Sequence, residues 1–302
     1  MSNKKDLTSS LCLLLTAAIW GFAFVAQVEA MGFMGPFTFG GARFAMGALS
    51  LLPVILIFER KRGKPGEARQ TLLYGALAGL ILFAASTLQQ LGINALEAAG
   101  DPAAAKSGFI TGLYTVLTPI FSIALGKKPG LLTGLGAAAA FAGLYFLSVP
   151  DGFKSAGIGD GLLVAGAVCW TFHIMAVDAF APRLRPIRFS AVQFAVCAGL
   201  SLASMALFEA PRISHLRAGL VPLLYCGLLS VGVAYTLQIV GQRRVEPAKA
   251  AIIFSLESLF AALGGFLLLH EAFGWKGYLG GGLMFLGIIL SQIKIKKKIK
   301  AL

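Results

Sequence analysis

The chain repeats itself at an interval of about 150 residues, and each copy holds an odd number of apolar runs. Trp20 and Trp170 are 150 residues apart, as are Arg43-Phe44-Ala45 and Gln193-Phe194-Ala195. Thr87-Leu88-Gln89 with Gly92 recurs as Thr236-Leu237-Gln238 with Gly241, offset by 149. Pro102 and Pro247, each opening a long apolar run, are 145 apart. Each half reads as five runs of bilayer-spanning length. Five crossings leave the second half upside down relative to the first, which constrains the chain to two inverted bundles.

Composition requires lipid as the solvent for those bundles. Soluble domains are about a quarter charged, whereas these 302 residues are 57% apolar and 13% charged. A span needs about 20 apolar residues. On that rule the spans fall at 7–28, 35–58, 70–94, 102–125, 131–149, 158–180, 187–208, 217–241, 247–270 and 275–293. The expected fold is an all-α polytopic membrane protein with ten transmembrane helices in two inverted five-helix repeats. Residues 1–150 form the first repeat, 151–293 the second, and 294–302 a basic cytoplasmic tail. The longest polar stretch, Glu59 to Arg69, is a connector, so no second soluble domain is expected. Leu11 to Val28 is long, and no small-residue cleavage site follows it before the next span, so it is read as a helix and not a leader.

The net charge of +13 would suggest nucleic acid in a soluble protein. Its placement points elsewhere. Both termini and every second connector together hold 20 of the 26 Lys and Arg residues, among them Arg60 to Lys64, Lys127, Lys128, Arg243 and Arg244. The opposite connectors hold Lys106, Lys154, Arg212, Arg217 and Lys276, and Arg43 is inside span 2. Lys and Arg stay on the cytoplasmic side, which puts both termini inside and requires an even number of spans. The partner is a lipid bilayer, with no nucleic acid. The four cysteines, Cys12, Cys169, Cys197 and Cys226, lie in apolar runs without metal-like spacing and read as core residues. No cofactor or metal pattern is present.

Small residues crowd spans 5 and 10, at Gly134, Gly136, Ala137 to Ala140 and Gly143, and at Gly280, Gly281, Gly282 and Gly287. They let helix backbones approach closely in lipid. Packing within the fold is the preferred reading, and contact between two copies in a homodimer is the other. Inverted repeats in a membrane form the architecture of transporters, with the binding site near the midplane between the halves.

Several segments carry a family likeness. They are Leu15-Thr16-Ala17-Ala18-Ile19-Trp20-Gly21, Arg43-Phe44, Gly108 to Tyr114 running on to Leu117-Thr118-Pro119-Ile120, and Leu256-Glu257-Ser258-Leu259-Phe260-Ala261-Ala262 with Gly264 and His270-Glu271. Over nearly its whole length the chain resembles the drug/metabolite transporter superfamily, EamA-type branch. The resemblance implies alternating access and a central cavity that carries a small organic metabolite, most often outward. Cargo in such proteins ranges over amino acids, nucleobases, amines, vitamins and drugs. One departure stands out: Ser258 occupies a position where members often have proline, which puts a helix break there in doubt.

Within the spans, polar and aromatic residues mark the candidate substrate site. A charge at the bilayer centre costs several kcal/mol, so it should face a cavity or a partner. Glu257 is ten residues past Pro247, roughly 15 Å deep. It reads either as a cation or proton site or as a buried structural carboxyl. His173, one turn from Trp170, is either a substrate contact or a satisfied interhelix histidine. Trp20 and Trp170 are central and favoured as cavity walls. Ser107, Thr111, Tyr114 and Thr118 share one helical face, an aqueous path or a set of backbone-bonded hydroxyls. Gln89 and Gln238, repeat mates near opposite surfaces, are candidate gate or rim contacts, with Tyr235 one turn before Gln238. Arg43 can pair with Glu29 or with a carboxylate cargo; its mate is the neutral Gln193, which favours a structural role.

Two catalytic look-alikes are discounted. His173 with Asp178 has acyltransferase spacing, but on a helix inside lipid. Gly157-Ile158-Gly159-Asp160 resembles an intramembrane-protease signature without a second aspartate at depth. No phosphate loop is present. The expectation is a transporter of a small molecule in a bacterial inner membrane, not an enzyme. An uncoupled channel is the alternative, and a membrane-embedded enzyme is the more remote one.

Overall fold

The computed structural model describes residues 2–59, 66–100, 103–127, 129–148, 157–269 and 275–293. Pro102, the His270-Glu271 end of the last motif and the basic tail from 294 lie outside these residues.

The described residues form helices throughout. In chain order they are α1 (Ser2–Met31), α2 (Pro36–Phe58), α3 (Glu67–Ala98), α4 (Ala103–Thr111), α5 (Tyr114–Ala124), α6 (Leu131–Ser148), α7 (Ile158–Phe180), α8 (Pro186–Phe208), α9 (Ile213–Ala218) and α10 (Leu220–Leu224). A π-helical stretch, Tyr225–Tyr235, then leads into α11 (Thr236–Gln242), α12 (Pro247–Phe254), α13 (Leu256–Leu269) and α14 (Trp275–Gln292). Proline opens α2, α8 and α12, where its missing N–H costs no hydrogen bond. Among the described residues, eight segments are long and apolar enough to cross a bilayer, and Leu131–Phe146 is a shorter apolar helix. Leu56, Ile57, Phe58, Leu207 and Phe208 are exposed on the outside of the bundle, where acyl chains would cover them.

Hydropathy predicts unbroken helices at 102–125, 217–241 and 247–270, and the structure interrupts all three. The first breaks at Gly112 and Leu113, where the backbone closes tight turns such as Leu113 N–H to Ile110 O at 3.1 Å and Thr115 N–H to Gly112 O at 3.0 Å. The third breaks at Ser255, whose hydroxyl donates to Ile252 O at 2.8 Å and competes for the helix's own acceptor. The break therefore forms without a proline at 258. Ser258 instead donates its hydroxyl to Gly108 O at 3.1 Å, joining α13 to α4. In the second, the wider π turns receive α1: Tyr225 Oη donates to Ile19 O at 3.0 Å, Trp20 Nε1 to Ser230 O at 3.3 Å, and Thr16 Oγ1 to Ala234 O at 3.0 Å. Apolarity sets where a span lies and is silent about such local backbone geometry.

Gly136 and Gly143 of α6 pack against Gly287 and Gly280 of α14, whereas Gly134 and Gly282 face open space. A Cβ on Gly136 would strike Gly287 O, and one on Gly143 would strike Gly280 O. Positions rise along one helix as they fall along the other, so the two run antiparallel in backbone contact. These glycines serve packing within the fold.

A reciprocal pair of carboxylates ties α2 to α8. Glu209, at the end of α8, accepts from Phe37 N–H at 2.8 Å, Thr38 N–H at 2.7 Å and Thr38 Oγ1 at 2.5 Å, at the start of α2. Glu59, at the end of α2, accepts from Ile187 N–H and Arg188 N–H, both at 3.2 Å, at the start of α8. Each acceptor and donor stands 150 residues from its counterpart. Anions are favoured at helix N-termini, where backbone donors lack partners. Between the caps the two helices run antiparallel, with Phe44 and Phe194 rings 6.2 Å apart.

Glu209→Ala and Glu59→Ala are each expected to destabilise the protein by about 1–2 kcal/mol. The two losses should add, because the caps sit about 34 Å apart at the ends of a 23-residue helix. Unfolding of the detergent-solubilised protein by denaturant measures this.

Candidate substrate cavity

A cavity opens among the helices. From α1 come Trp20, Phe24 and Gln27, spaced four and three residues apart on one face. Arg43 of α2, Gln89 of α3, Thr111 of α4 and Tyr114 of α5 continue the wall. From the second half come Trp170 and Ile174 of α7, Ser230 and Tyr235 of the π-helical stretch, Gln238 of α11, Phe254 of α12 and Glu257 of α13. Both helix breaks therefore open onto this space, at Thr111/Tyr114 and at Phe254/Glu257.

Tyr235 is the centre of the aromatic wall. Its ring centroid is 4.7 Å from Trp20, 6.1 Å from Trp170 and from Phe44, and 5.9 Å from Phe194. Trp20 also meets Phe254 at 5.3 Å. Trp170 stacks on Tyr235 at 20°, and the other pairs are tilted or edge-on, arrangements that suit the ring quadrupoles.

Three sets of hydrogen bonds hold the polar wall. Arg43 Nη1 donates to Gln27 Oε1 at 3.0 Å, and Gln89 Nε2 donates to the same oxygen at 3.3 Å. Trp170 Nε1 donates to Gln89 Oε1 at 2.7 Å. Across the cavity, Tyr114 Oη donates to Glu257 Oε1 at 2.8 Å and joins α5 to α13. Gln238 Nε2 donates to Gln242 Oε1 at 2.9 Å, and Gln242 in turn donates to Ile174 O at 3.0 Å. Among the described residues no three His, Cys, Asp or Glu side chains gather as metal ligands.

Of the residues singled out in the sequence, Trp20, Gln89, Thr111, Tyr114, Trp170, Tyr235, Gln238 and Glu257 share this one cavity. His173 does not line it. Its Nε2 lies 3.1 Å from Gln193 Oε1 of α8, while its Nδ1 is buried without a partner. Positions 173 and 174 fall on opposite sides of the line through Trp170, by roughly 60° and 40°, and the cavity is on the 174 side. The hydroxyl stripe of span 4 is not a continuous path. Ser107 donates to Ala103 O and Ala104 O of its own helix, Thr118 is buried behind the wall, and the break leaves Thr111 and Tyr114 facing the space. Gln89 and Gln238 are not at opposite rims; both are buried in the same cavity. For Gln89 the reason is that α3 runs on to Ala98, past the expected end at 94. Gln27, Phe24, Ile174, Ser230 and Phe254 were missed. Gln27 had a visible signal: an amide inside an apolar run, seven residues from Trp20.

A family model described as the EamA-like transporter family matches the chain twice, over residues 7–149 and 157–292. An uncharacterized transporter of Archaeoglobus fulgidus is 29% identical over 292 residues, covering 96% of this chain and 88% of that protein. The uncharacterized transporter YoaV of Bacillus subtilis is 22% identical, covering 93% and 95%. A WAT1-related protein of Arabidopsis thaliana is 24% identical, covering 87% and 84%. One solved crystal structure superposes with a TM-score of 0.73 at 20% identity, covering 94% of this chain and 96% of that one, which shows a shared fold.

Tyr114→Phe keeps the ring and leaves the Glu257 carboxyl without its phenol donor. The expected cost is about 1–3 kcal/mol in detergent unfolding. Ser107→Ala, which deletes a hydroxyl bonded to its own helix, is expected to stay within about 0.5 kcal/mol.

Proposed function

The chain belongs to the EamA-like transporter family, and we propose that it exports a small organic metabolite across a bacterial-type plasma membrane by alternating access. As a member of that family with multiple apolar spans, it is a multi-pass membrane transporter. The observation that carries the finer reading is a cavity walled by both halves, from Trp20 to Tyr114 in the first and from Trp170 to Glu257 in the second. A site built between two bodies opens to one side or the other when they rock.

Residues 1–150 and 151–293 are read as inverted five-helix repeats. The double match of the family model supports this. So does the antiparallel pairing of α2 with α8 and of α6 with α14, which occupy equivalent places in the two halves. With Leu131–Phe146 and Trp275–Gln292 counted beside the eight long segments, the spans number ten. An even number puts both termini on one face, and the distribution of Lys and Arg makes that face cytoplasmic.

In this mechanism Trp20, Trp170 and Tyr235 enclose the cargo, with Gln89, Gln238 and Thr111 as hydrogen-bonding contacts. Glu257 sets the charge preference of the far wall. The breaks at Gly112 and Ser255 let α5 and α13 tilt on their partner segments, and the Tyr114–Glu257 bond holds the two tilting segments together until the halves rock.

Counterflow in proteoliposomes tests this. Unlabelled cargo inside should accelerate uptake of labelled cargo from outside, as a carrier requires. Flux that is fast and indifferent to trans cargo would identify an uncoupled channel and overturn the proposal.

A further inference from the structure

Arg43 stands in the cavity as a cation without an anion. It lines the space while only 5% exposed. Its acceptor is the neutral Gln27 Oε1, and its Nε has no partner. Among the described residues no carboxylate lies within ion-pair distance of it. Glu29, the partner offered by the sequence, is exposed instead. The rings of Phe39 and Phe44 flank the guanidinium, 4.8 and 5.1 Å from their centroids. Gln27 is held in turn by Gln89, and Gln89 by Trp170. The guanidinium is thus fixed in orientation, with unused donor capacity, in a place where a lone charge is costly.

We propose that Arg43 is the docking point for a carboxylate group of the cargo, with the apolar body of that molecule lying against the cluster of Trp20, Trp170 and Tyr235. The inference rests on the transport reading and names the chemical class that the cavity takes. A planar guanidinium fork matches a planar carboxylate with two parallel hydrogen bonds. A space walled by six aromatic side chains, Trp20, Phe24, Tyr114, Trp170, Tyr235 and Phe254, suits an organic anion better than a simple ion. The acid of the cavity, Glu257, makes no ion pair with Arg43 and is engaged by Tyr114. The subsite is also one-sided: the repeat mate Gln193 is fully buried against His173 and does not line the cavity. Cargo is therefore held in one orientation relative to the two halves.

Matched pairs of probes test this on the detergent-purified full chain. Benzoate and phenylacetate are compared with benzamide and phenylacetamide by thermal shift, since a ligand of the folded state raises the apparent melting temperature with its concentration. The carboxylates should act at concentrations more than about tenfold below the amides. Arg43→Gln should abolish the preference, and Arg43→Lys should keep a weaker one. Amides equal to carboxylates, or no response to either carboxylate up to its solubility limit, would overturn the proposal. So would an equal Arg43-dependent shift with sodium chloride alone, which would mark a site for inorganic anions. If Arg43→Gln does not fold, the wild-type pairs and Arg43→Lys decide the matter. Counterflow that persists without any carboxylate preference would remove this inference and leave the transport reading standing. A preserved preference with no counterflow would do the reverse.

Discussion

Lipid offers polar groups nothing to bond to, and this one constraint organises the molecule. Every backbone group must be satisfied within a helix or by a neighbouring one, and every charge at depth must face a partner or a cavity. The chain obeys in part by gathering six of its deep polar side chains into one space. Gln27, Arg43, Gln89, Tyr114, Gln238 and Glu257 come from six different helices and meet around a single cavity. The interrupted helices obey the same rule. Their broken turns at Gly112 and Ser255 lie inside the bundle and border that cavity, where protein and space, not acyl chains, surround them.

The same constraint shapes the contacts that hold the halves together. At the starts of α2 and α8, where backbone donors lack partners within the helix, Glu209 and Glu59 supply acceptors from the opposite helix. At the centre, Tyr235 collects aromatic rings from α1, α2, α7 and α8. At the periphery, α6 and α14 meet through glycine, so close that no side chain fits between them. The seams differ in what motion they allow. Reciprocal caps and glycine contacts favour rigid pairs. Aromatic rings and the lone Tyr114–Glu257 bond, around an open space, can rearrange with less loss.

Much of this was legible in the sequence because lipid makes hydropathy informative. Helix positions followed from apolar runs, and most of the cavity's polar and aromatic wall followed from asking which such residues sit deep. The depth of Glu257 and the pairing of Trp20 with Trp170 could be counted directly. What escaped depends on rotation and on partners. His173 and Ile174 are adjacent in sequence and part ways by helical angle. Ser107, bonded to its own helix, and Thr118 stay off the cavity, which helical spacing alone does not reveal. The Glu59 and Glu209 caps obey the 150-residue interval, yet reading them as caps requires knowing that α2 and α8 lie antiparallel. Arg43 was weighed by its neutral mate Gln193, and the repeat misled there, because one copy of the position faces the cavity and the other is sealed against His173.

The central claim is that one cavity between two halves is exposed to each side of the membrane in turn. Its most direct test is Ser230→Cys, placed in the cavity wall of a chain whose four native cysteines have been replaced. A membrane-impermeant thiol reagent is then applied to right-side-out and to inverted vesicles. The account predicts labelling from both sides. Labelling from one side alone, under every cargo condition, would contradict it.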